Sequence, residues 1–237
     1  MIFKVALRTN CTVDVFFMTI QRVVLFMFNT STTVGVILLA AGFSNRMGAF
    51  KPLLPLGQGT ALSTIADAWA AAGVQMRFVV SGHEAKRTEA EALRCGCFYV
   101  RNPAPQDGMF SSILCGLKAL ASHKDLEWLA VHPVDIPLVR PATLKACIRF
   151  ASASSARAVI PSYAGRGGHP PLIHRNAVPY VLAWKGGHGL RGALDALCPV
   201  YLPTKDPFVR RDMDTPEAYR SLLADLLSLD SGGNLST

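Results

Sequence analysis

From Val34 onward the chain alternates short apolar runs with longer stretches in which apolar residues recur every three or four positions. The runs at 34–39, 76–80, 97–100, 128–131 and 158–161 are too short for typical helices and almost free of charge. That pattern predicts strands buried on both faces of a parallel sheet. Between them the spacing predicts helices over 60–72, 86–94, about 110–121, 141–152 and 190–197, with a last one opening at Pro216. Residues 201–202 read as an edge strand. Strands that alternate with helices in this way predict an α/β fold: a three-layer α/β/α, Rossmann-like architecture with a mostly parallel sheet. No repeat or linker divides residues 34–227, which are expected to form a single domain. Residues 228–237 are polar and glycine-containing, as expected of a flexible tail.

Residues 1–33 have no place in this alternation. Their apolar stretch, 13–28, is interrupted by Asp14, Gln21 and Arg22, so it falls short of the ~20 apolar residues of a membrane span. It also lacks the clean apolar core and small-residue cleavage site of a signal peptide. Met18 and Met27 offer later starts, and the segment is expected to be a misassigned start or a loosely docked extension.

Composition narrows the function classes. Half of the 237 residues are hydrophobic and 17% are charged, which fits a globular chain with a sizeable core. The formal charge of +8 is spread along the chain with no Lys/Arg-rich run. This favours an anionic small substrate over nucleic acid. The six cysteines form no C-x-x-C pair and no cluster with histidine. Free thiols in a reducing, cytoplasmic setting are therefore expected, with no membrane association.

The chemistry concentrates in residues 34–56, VGVILLAAGFSNRMGAFKPLLPL. Leu39, Ala40, Ala41 and Gly42 leave the first strand in a turn poor in side-chain bulk, which lets a ligand approach the main chain. Arg46 and Lys51 follow, and exposed backbone N–H groups beside two cations make a polyphosphate site. The pattern is neither the Walker loop nor G-x-G-x-x-G. Further on, Asp135 stands just past a buried strand, at the carboxyl edge where open α/β sheets bind ligands. A single carboxylate there, with phosphate oxygens and water, is enough for Mg²⁺. Ser111 and Ser112 sit at a helix start, where they can cap N–H groups or meet a ligand. His132 is either a core hydrogen-bonding group or a catalytic one.

The segment LAAGFSNRMGAFKPLLPL resembles the signature L-A-A-G-x-S-x-R-M-G-x-x-K-x-L-L-P of nucleotidyltransferases related to the enzymes that attach CMP or GMP to molybdopterin. The resemblance extends over residues 34 to about 223. It implies a fold of the nucleotide-diphospho-sugar transferase type and an enzyme of the nucleotidyltransferase class with Mg²⁺ as cofactor. It further implies that Arg46 and Lys51 bind the β- and γ-phosphates and that V-D-x-P places Asp135 on the metal. The carboxylate before T-P-E, Asp214, would be the second metal ligand, with Asp212 as an alternative. Gly82 after the second strand, and Asn102, Gly108, Met109, Ser111 and Ser112 of an N-P-x-x-x-x-G-M-x-x-S-I segment, would lie beside base and ribose. The segment R-G-G-H-P-P-L looks like the loop that receives the pterin, with Arg166 toward its terminal phosphate and His169 orienting it. G-G-H-G-L-R, ending in Arg191, resembles a G-G-G-L-R segment of the same group, with His188 departing from the usual glycine.

Cytidylyltransferases of this kind carry L-A-A-G where guanylyltransferases carry L-A-G-G, so Ala41 favours CTP. The implied partners are CTP and molybdopterin, with a molybdoenzyme of the xanthine dehydrogenase type or its chaperone as recipient. Two alternatives stay open: a GTP-using or sugar-phosphate nucleotidyltransferase, and a nucleotide- or cofactor-binding module without turnover. No Ser/His/Asp or Cys/His arrangement for covalent catalysis is present. That suits a reaction whose nucleophile is already a phosphate oxyanion.

Overall fold

In a computed structural model, residues 34–44 and 46–230 are described. The extension expected at 1–33 lies outside them, as do residues 231–237 of the expected tail. Strand β1 (Val34–Leu39) is buried along its whole length. Its side chains alternate between two cores, as a period of two dictates: Val34, Val36 and Leu38 face one cluster, Ile37 and Leu39 the other. A two-strand hairpin, β2 (Pro55–Leu56) and β3 (Gly59–Thr60), leads into helix α1 (Ala61–Ala71). Thr60 and Ser63 form a reciprocal capping box at its start, with hydrogen bonds of 3.1 and 2.8 Å. Then come β4 (Met76–Ser81), α2 (Ala85–Arg94), β5 (Phe98–Arg101), α3 (Met109–Ala121) and β6 (Trp128–Pro133). They are followed by α4 (Pro141–Ser152), β7 (Ala158–Tyr163), β8 (Arg166–Gly167), β9 (Leu172–His174), α5 (Val178–Ala183), α6 (Gly189–Asp195), β10 (Val200–Pro203) and α7 (Pro216–Asp230).

The main sheet has eight strands in the order β10-β7-β9-β6-β1-β4-β5, with β8 paired to β7. Strands β1, β4, β5, β6, β7 and β10 lie in parallel pairs, whereas β9 runs antiparallel to both β6 and β7. Trp69 of α1, Ala92 of α2 and Leu144 and Cys147 of α4 fill one face. Leu117 of α3, Val181 of α5 and Leu194 of α6 fill the other. Three layers follow from these two clusters. The described residues belong to one compact unit.

From β1 the chain winds outward through β4 to β5, then crosses back to place β6 on the other side of β1. The strand order reverses between β1 and β6, and the crevice at their carboxyl ends is where this topology binds ligands. Both main sequence motifs, the 40–51 loop and the 133–136 turn, emerge there.

The structure departs from the sequence expectation in three places. The glycine-rich stretch 163–172, expected as a loop, contains the β7–β8 hairpin and runs into β9. Strand β9 has only three residues, Leu172 and Ile173 being fully buried, too few to give a periodicity signal. Helix α5 is also short, and Pro179 at its start hides it. Helix α7 continues to Asp230, so residues 228–230 of the expected tail are helical.

Candidate active site

The 40–51 loop is pinned where it leaves the sheet: the Ala40 N–H donates to the Val80 carbonyl at 3.0 Å, and Ala41 accepts from the His83 N–H at 3.1 Å. Ala40 and Ala41 are buried, while Gly42 is exposed with open space where a Cβ would stand. A ligand can therefore reach the main chain at Gly42. Ser44 anchors the far end of the loop, accepting from the Lys51 N–H at 3.2 Å.

Lys51 is the centre of a charge cluster. Its ammonium donates to Asp214 and lies 3.8 Å from Asp135, and its side chain is only 11% exposed. Arg46, by contrast, is 74% exposed and reaches Asp214 at 2.7 Å. The carboxylates come from loops distant in sequence that are tied together, the Met213 N–H donating to the Asp135 carbonyl at 2.9 Å. Asp212 accepts from the Asp214 N–H at 3.1 Å and serves as a brace within its loop. Four of the residues singled out in the sequence, Arg46, Lys51, Asp135 and Asp214, thus meet in one place.

Burial pushes the Asp135 carboxyl up to about 6; Lys51 pulls the other way, and the neighbouring Asp214 and Asp212 add to the rise. For Asp214 burial also acts upward, but the hydrogen bond and charge of Lys51, with Arg46, hold it below the usual carboxylate range. The pair is short of positive charge on the Asp135 side. Two acidic oxygen donors converging on an ammonium suit a hard divalent ion completed by substrate phosphates and water. Asp135 and Asp214 therefore fit Mg²⁺. Among the described residues no group of three or more His, Cys, Asp or Glu side chains is placed to hold a metal by itself.

Gly82, Asn102 and the 105–112 segment lie at the carboxyl ends of β4 and β5. An added Cβ on Gly82 would stand 2.8 Å from the Ala41 Cβ, 2.9 Å from the Pro105 Cβ and 3.0 Å from the Ala41 carbonyl. The Ala41 methyl thus fills the space that Gly82 leaves, and thickens the wall between the two loops. Gly82→Ala should overpack this seam and cost about 1–3 kcal/mol, read as a fall in urea midpoint; an unchanged midpoint would mean the loops part freely. Asn102 is buried and donates to both Ser111 (2.8 Å) and Ser112 (2.9 Å) while accepting from the Ala104 N–H at 3.0 Å. It acts as the clasp of this loop. Ser112 is buried, leaving Ser111, Gly108 and the exposed Met109 at the surface of the crevice.

At the carboxyl ends of β1 and β6 opens a cavity of about 760 Å³ lined by Leu39, Met109, Pro133, Arg166, His169 and Arg191, among others. The β7–β8 hairpin carries Arg166, and the Gly168 N–H, donating to the Pro161 carbonyl at 2.7 Å, sets the start of the His169 segment. A Cβ on Gly168 would be 2.4 Å from the Val209 carbonyl, so the chain crosses there only as glycine. Arg210 and Tyr201 also line the cavity. Sequence reasoning missed both, because an Arg in a 3₁₀ turn and a Tyr on an edge strand carry no local signal. The glycine-rich 163–172 stretch is the feature that could have led to them.

Two imidazoles, the buried His132 and the half-buried His169, stand near the site. Burial lowers His132 to about 3, its Ile136 carbonyl partner opposing, and lowers His169 to about 4. An unfolded imidazole titrates near 6.5. Above that pH neither state takes a proton and His132 contributes nothing; between 6.5 and about 3 the unfolded chain binds a proton that the folded chain refuses. Stability is therefore lost as the pH falls. Asp135, whose folded carboxyl holds its proton up to about 6, acts in the opposite sense. The difference between wild type and His132→Leu isolates the imidazole: its stability cost should shrink by about 2 kcal/mol between pH 7 and pH 5. Urea denaturation at the two pH values measures it, and a pH-independent cost would contradict the assignment.

Against known proteins, residues 36–200 match the family described as the MobA-like NTP transferase domain. No curated protein matches the chain. Among solved structures, Rv0371c from Mycobacterium tuberculosis H37Rv is 27% identical with a TM-score of 0.68, covering 82% of this chain and all of its own (100%). The same protein has been solved in complex with manganese, at 25% identity and a TM-score of 0.62, covering 82% of this chain and 100% of that one. A nucleotidyl transferase from Methanothermobacter is 21% identical (TM-score 0.70), covering 83% of this chain and 98% of its own. The molybdopterin-guanine dinucleotide biosynthesis protein A from Archaeoglobus fulgidus is 18% identical (TM-score 0.58), covering 84% of this chain and 100% of its own. The last two likenesses bear on the fold alone. No described helix is long and apolar enough to cross a membrane, and the described cysteines Cys95, Cys115, Cys147 and Cys198 are free thiols.

Proposed function

Because the chain belongs to the MobA-like NTP transferase family, and is a nucleotidyltransferase of that type, we propose that it transfers CMP from CTP to a phosphate of molybdopterin and releases pyrophosphate. The observation that carries the reading is the charge cluster Arg46–Asp214–Lys51–Asp135 at the crevice between β1 and β6, opening beside an arginine-lined cavity. The nucleotide lies along the β1, β4 and β5 ends, its phosphates against the Gly42 main chain. Arg46 and Lys51 exchange Asp214 for the β- and γ-phosphates and neutralise departing pyrophosphate. Gly82, Ser111 and the Asn102-clasped loop shape the base and ribose side. The acceptor enters the cavity with Arg166 toward an anionic group and His169 behind it, Arg191 and Arg210 adding positive charge.

A Mg²⁺ held by Asp135 and Asp214 would supply Lewis-acid polarisation of the α-phosphate. Manganese in the complex of the mycobacterial neighbour is in keeping with a divalent ion. The acceptor phosphate is itself the nucleophile, so the protein's part is to hold two anions in line and offset their charge. Ala41 supports CTP over GTP, since its methyl thickens the wall facing Gly82 and Pro105. The setting is expected to be cytoplasmic, with a molybdoenzyme or its chaperone receiving the product. Pyrophosphate release from CTP, GTP and ATP, each with and without molybdopterin, tests the reading. CTP-selective release that needs molybdopterin is expected. GTP preference would overturn the Ala41 argument, and release driven by a different phosphate acceptor would overturn the pterin.

A further inference from the structure

His132 is absorbed by none of the roles above. It lies on β6, three residues ahead of Asp135, and is 1% exposed. Its ring is held from both sides. The indole N–H of Trp69 donates to Nδ1 at 2.9 Å. An indole can only donate, so Nδ1 must be the acceptor and the proton of the neutral ring sits on Nε2. Nε2 then donates to the Ile136 carbonyl at 2.8 Å. That carbonyl stands beyond Asp135 on the 133–136 turn, which the Ile136 N–H closes onto the Pro133 carbonyl at 3.2 Å. The imidazole therefore clasps the turn from strand to exit, with Asp135 between the two ends.

The clasp has a rigid footing. Trp69 is fully buried on α1, in the same core cluster as Val134 and Ile136, which flank Asp135. Two main-chain tethers act on the same turn, Val134 N–H to the Leu39 carbonyl (3.2 Å) and Met213 N–H to the Asp135 carbonyl (2.9 Å). Those set where the turn lies relative to the two neighbouring loops. The imidazole ties the exit of the turn to the strand through a side chain, beside the main-chain bond from the Ile136 N–H to the Pro133 carbonyl. This histidine directs its donor across the turn that carries the carboxylate.

We propose that His132 is a positioning residue: through the chain Trp69–His132–Ile136 it fixes the Asp135 carboxylate in the orientation that the shared divalent ion requires. The proposal rests on the reading of Asp135 as a cation ligand. Outer groups that orient metal ligands cost about 10–100-fold in metal affinity when removed. The experiment titrates Mn²⁺ against the full chain by electron paramagnetic resonance without nucleotide, for wild type, His132→Leu, His132→Gln, Trp69→Phe and Asp135→Asn, with kcat and nucleotide KM measured alongside. The expected result is a loss of about 10–100-fold in Mn²⁺ affinity for His132→Leu, with lower kcat and unchanged nucleotide KM. His132→Gln, whose amide can still donate to the Ile136 carbonyl, should recover most of it, and Trp69→Phe should fall between.

If His132→Leu binds Mn²⁺ as wild type does while its melting temperature drops, the ring is core packing and the proposal is overturned. Should that variant fail to fold, wild-type Mn²⁺ affinity in both Trp69→Phe and His132→Gln overturns the proposal in the same way. Unaltered Mn²⁺ binding by Asp135→Asn would instead show that the underlying ligand reading has failed.

Discussion

Lys51→Met is expected to lower kcat by about 10²–10³, the scale of removing one preorganised electrostatic contact at a developing charge. The same change should have a second signature. In the resting protein the Lys51 ammonium sits against Asp214 and 3.8 Å from Asp135, with little exposure to water. It occupies the position of positive charge that the two carboxylates require. Methionine keeps the apolar stem and removes the charge, leaving two half-buried acids facing one another. Breaking one side of a buried pair costs about 3–5 kcal/mol, so the metal-free variant should melt well below wild type. Added Mg²⁺ should recover more stability in the variant than in wild type, because the competing cation is gone. Steady-state pyrophosphate release measures the first effect, and thermal denaturation with and without Mg²⁺ the second. Full turnover would remove Lys51 from the phosphate site, and equal Mg²⁺ responses would remove it from the carboxylate pair.

Asp135→Asn carries the second large effect and the opposite stability sign. Turnover should again fall by about 10²–10³, since the neutral amide offers a divalent ion only a weak ligand. Stability should rise. Burial pushes the Asp135 carboxyl up to about 6, above its unfolded value near 3.9. Between these values the folded state holds a proton that the unfolded state has released, so the wild type gains stability as the pH falls from 6 toward 4. Above pH 6 the ionised form is a burden of about 3 kcal/mol, and asparagine removes it. The advantage of Asp135→Asn over wild type is therefore present at pH 7 without Mg²⁺ and fades toward pH 4. A variant that is inactive and also less stable at pH 7 would contradict this assignment, because the carboxylate would then be held for the fold rather than for chemistry.

Much of this molecule can be read from its chain, and the reason is local. Strand β1 announces itself as an apolar run, and helix α1 by its spacing. The four charges that meet in the crevice could be named individually from motif chemistry, because each follows a strand or precedes a helix at a telling place. Their mutual arrangement could not. Lys51 and Asp214 are 163 positions apart, and only the winding of the sheet brings them together. Asn102 shows the same limit: its type suggests a ligand contact, yet both amide protons are taken by Ser111 and Ser112. Strand β9, Arg210 and the Trp69–His132 contact escape for a related reason. Each depends on a partner remote in sequence and leaves no periodic or compositional trace.

The most direct test of cytidylyl transfer to molybdopterin is to identify the product. Purified protein, Mg²⁺, molybdopterin and CTP labelled at the α-phosphate would be incubated together, and the products separated and weighed by mass spectrometry. The expected product is a labelled dinucleotide with the mass of molybdopterin joined to CMP through a pyrophosphate bridge. It should form in step with released pyrophosphate and be absent from Lys51→Met and Asp135→Asn. Label recovered only as CTP or as free CMP, with molybdopterin unchanged, would contradict the proposed transfer.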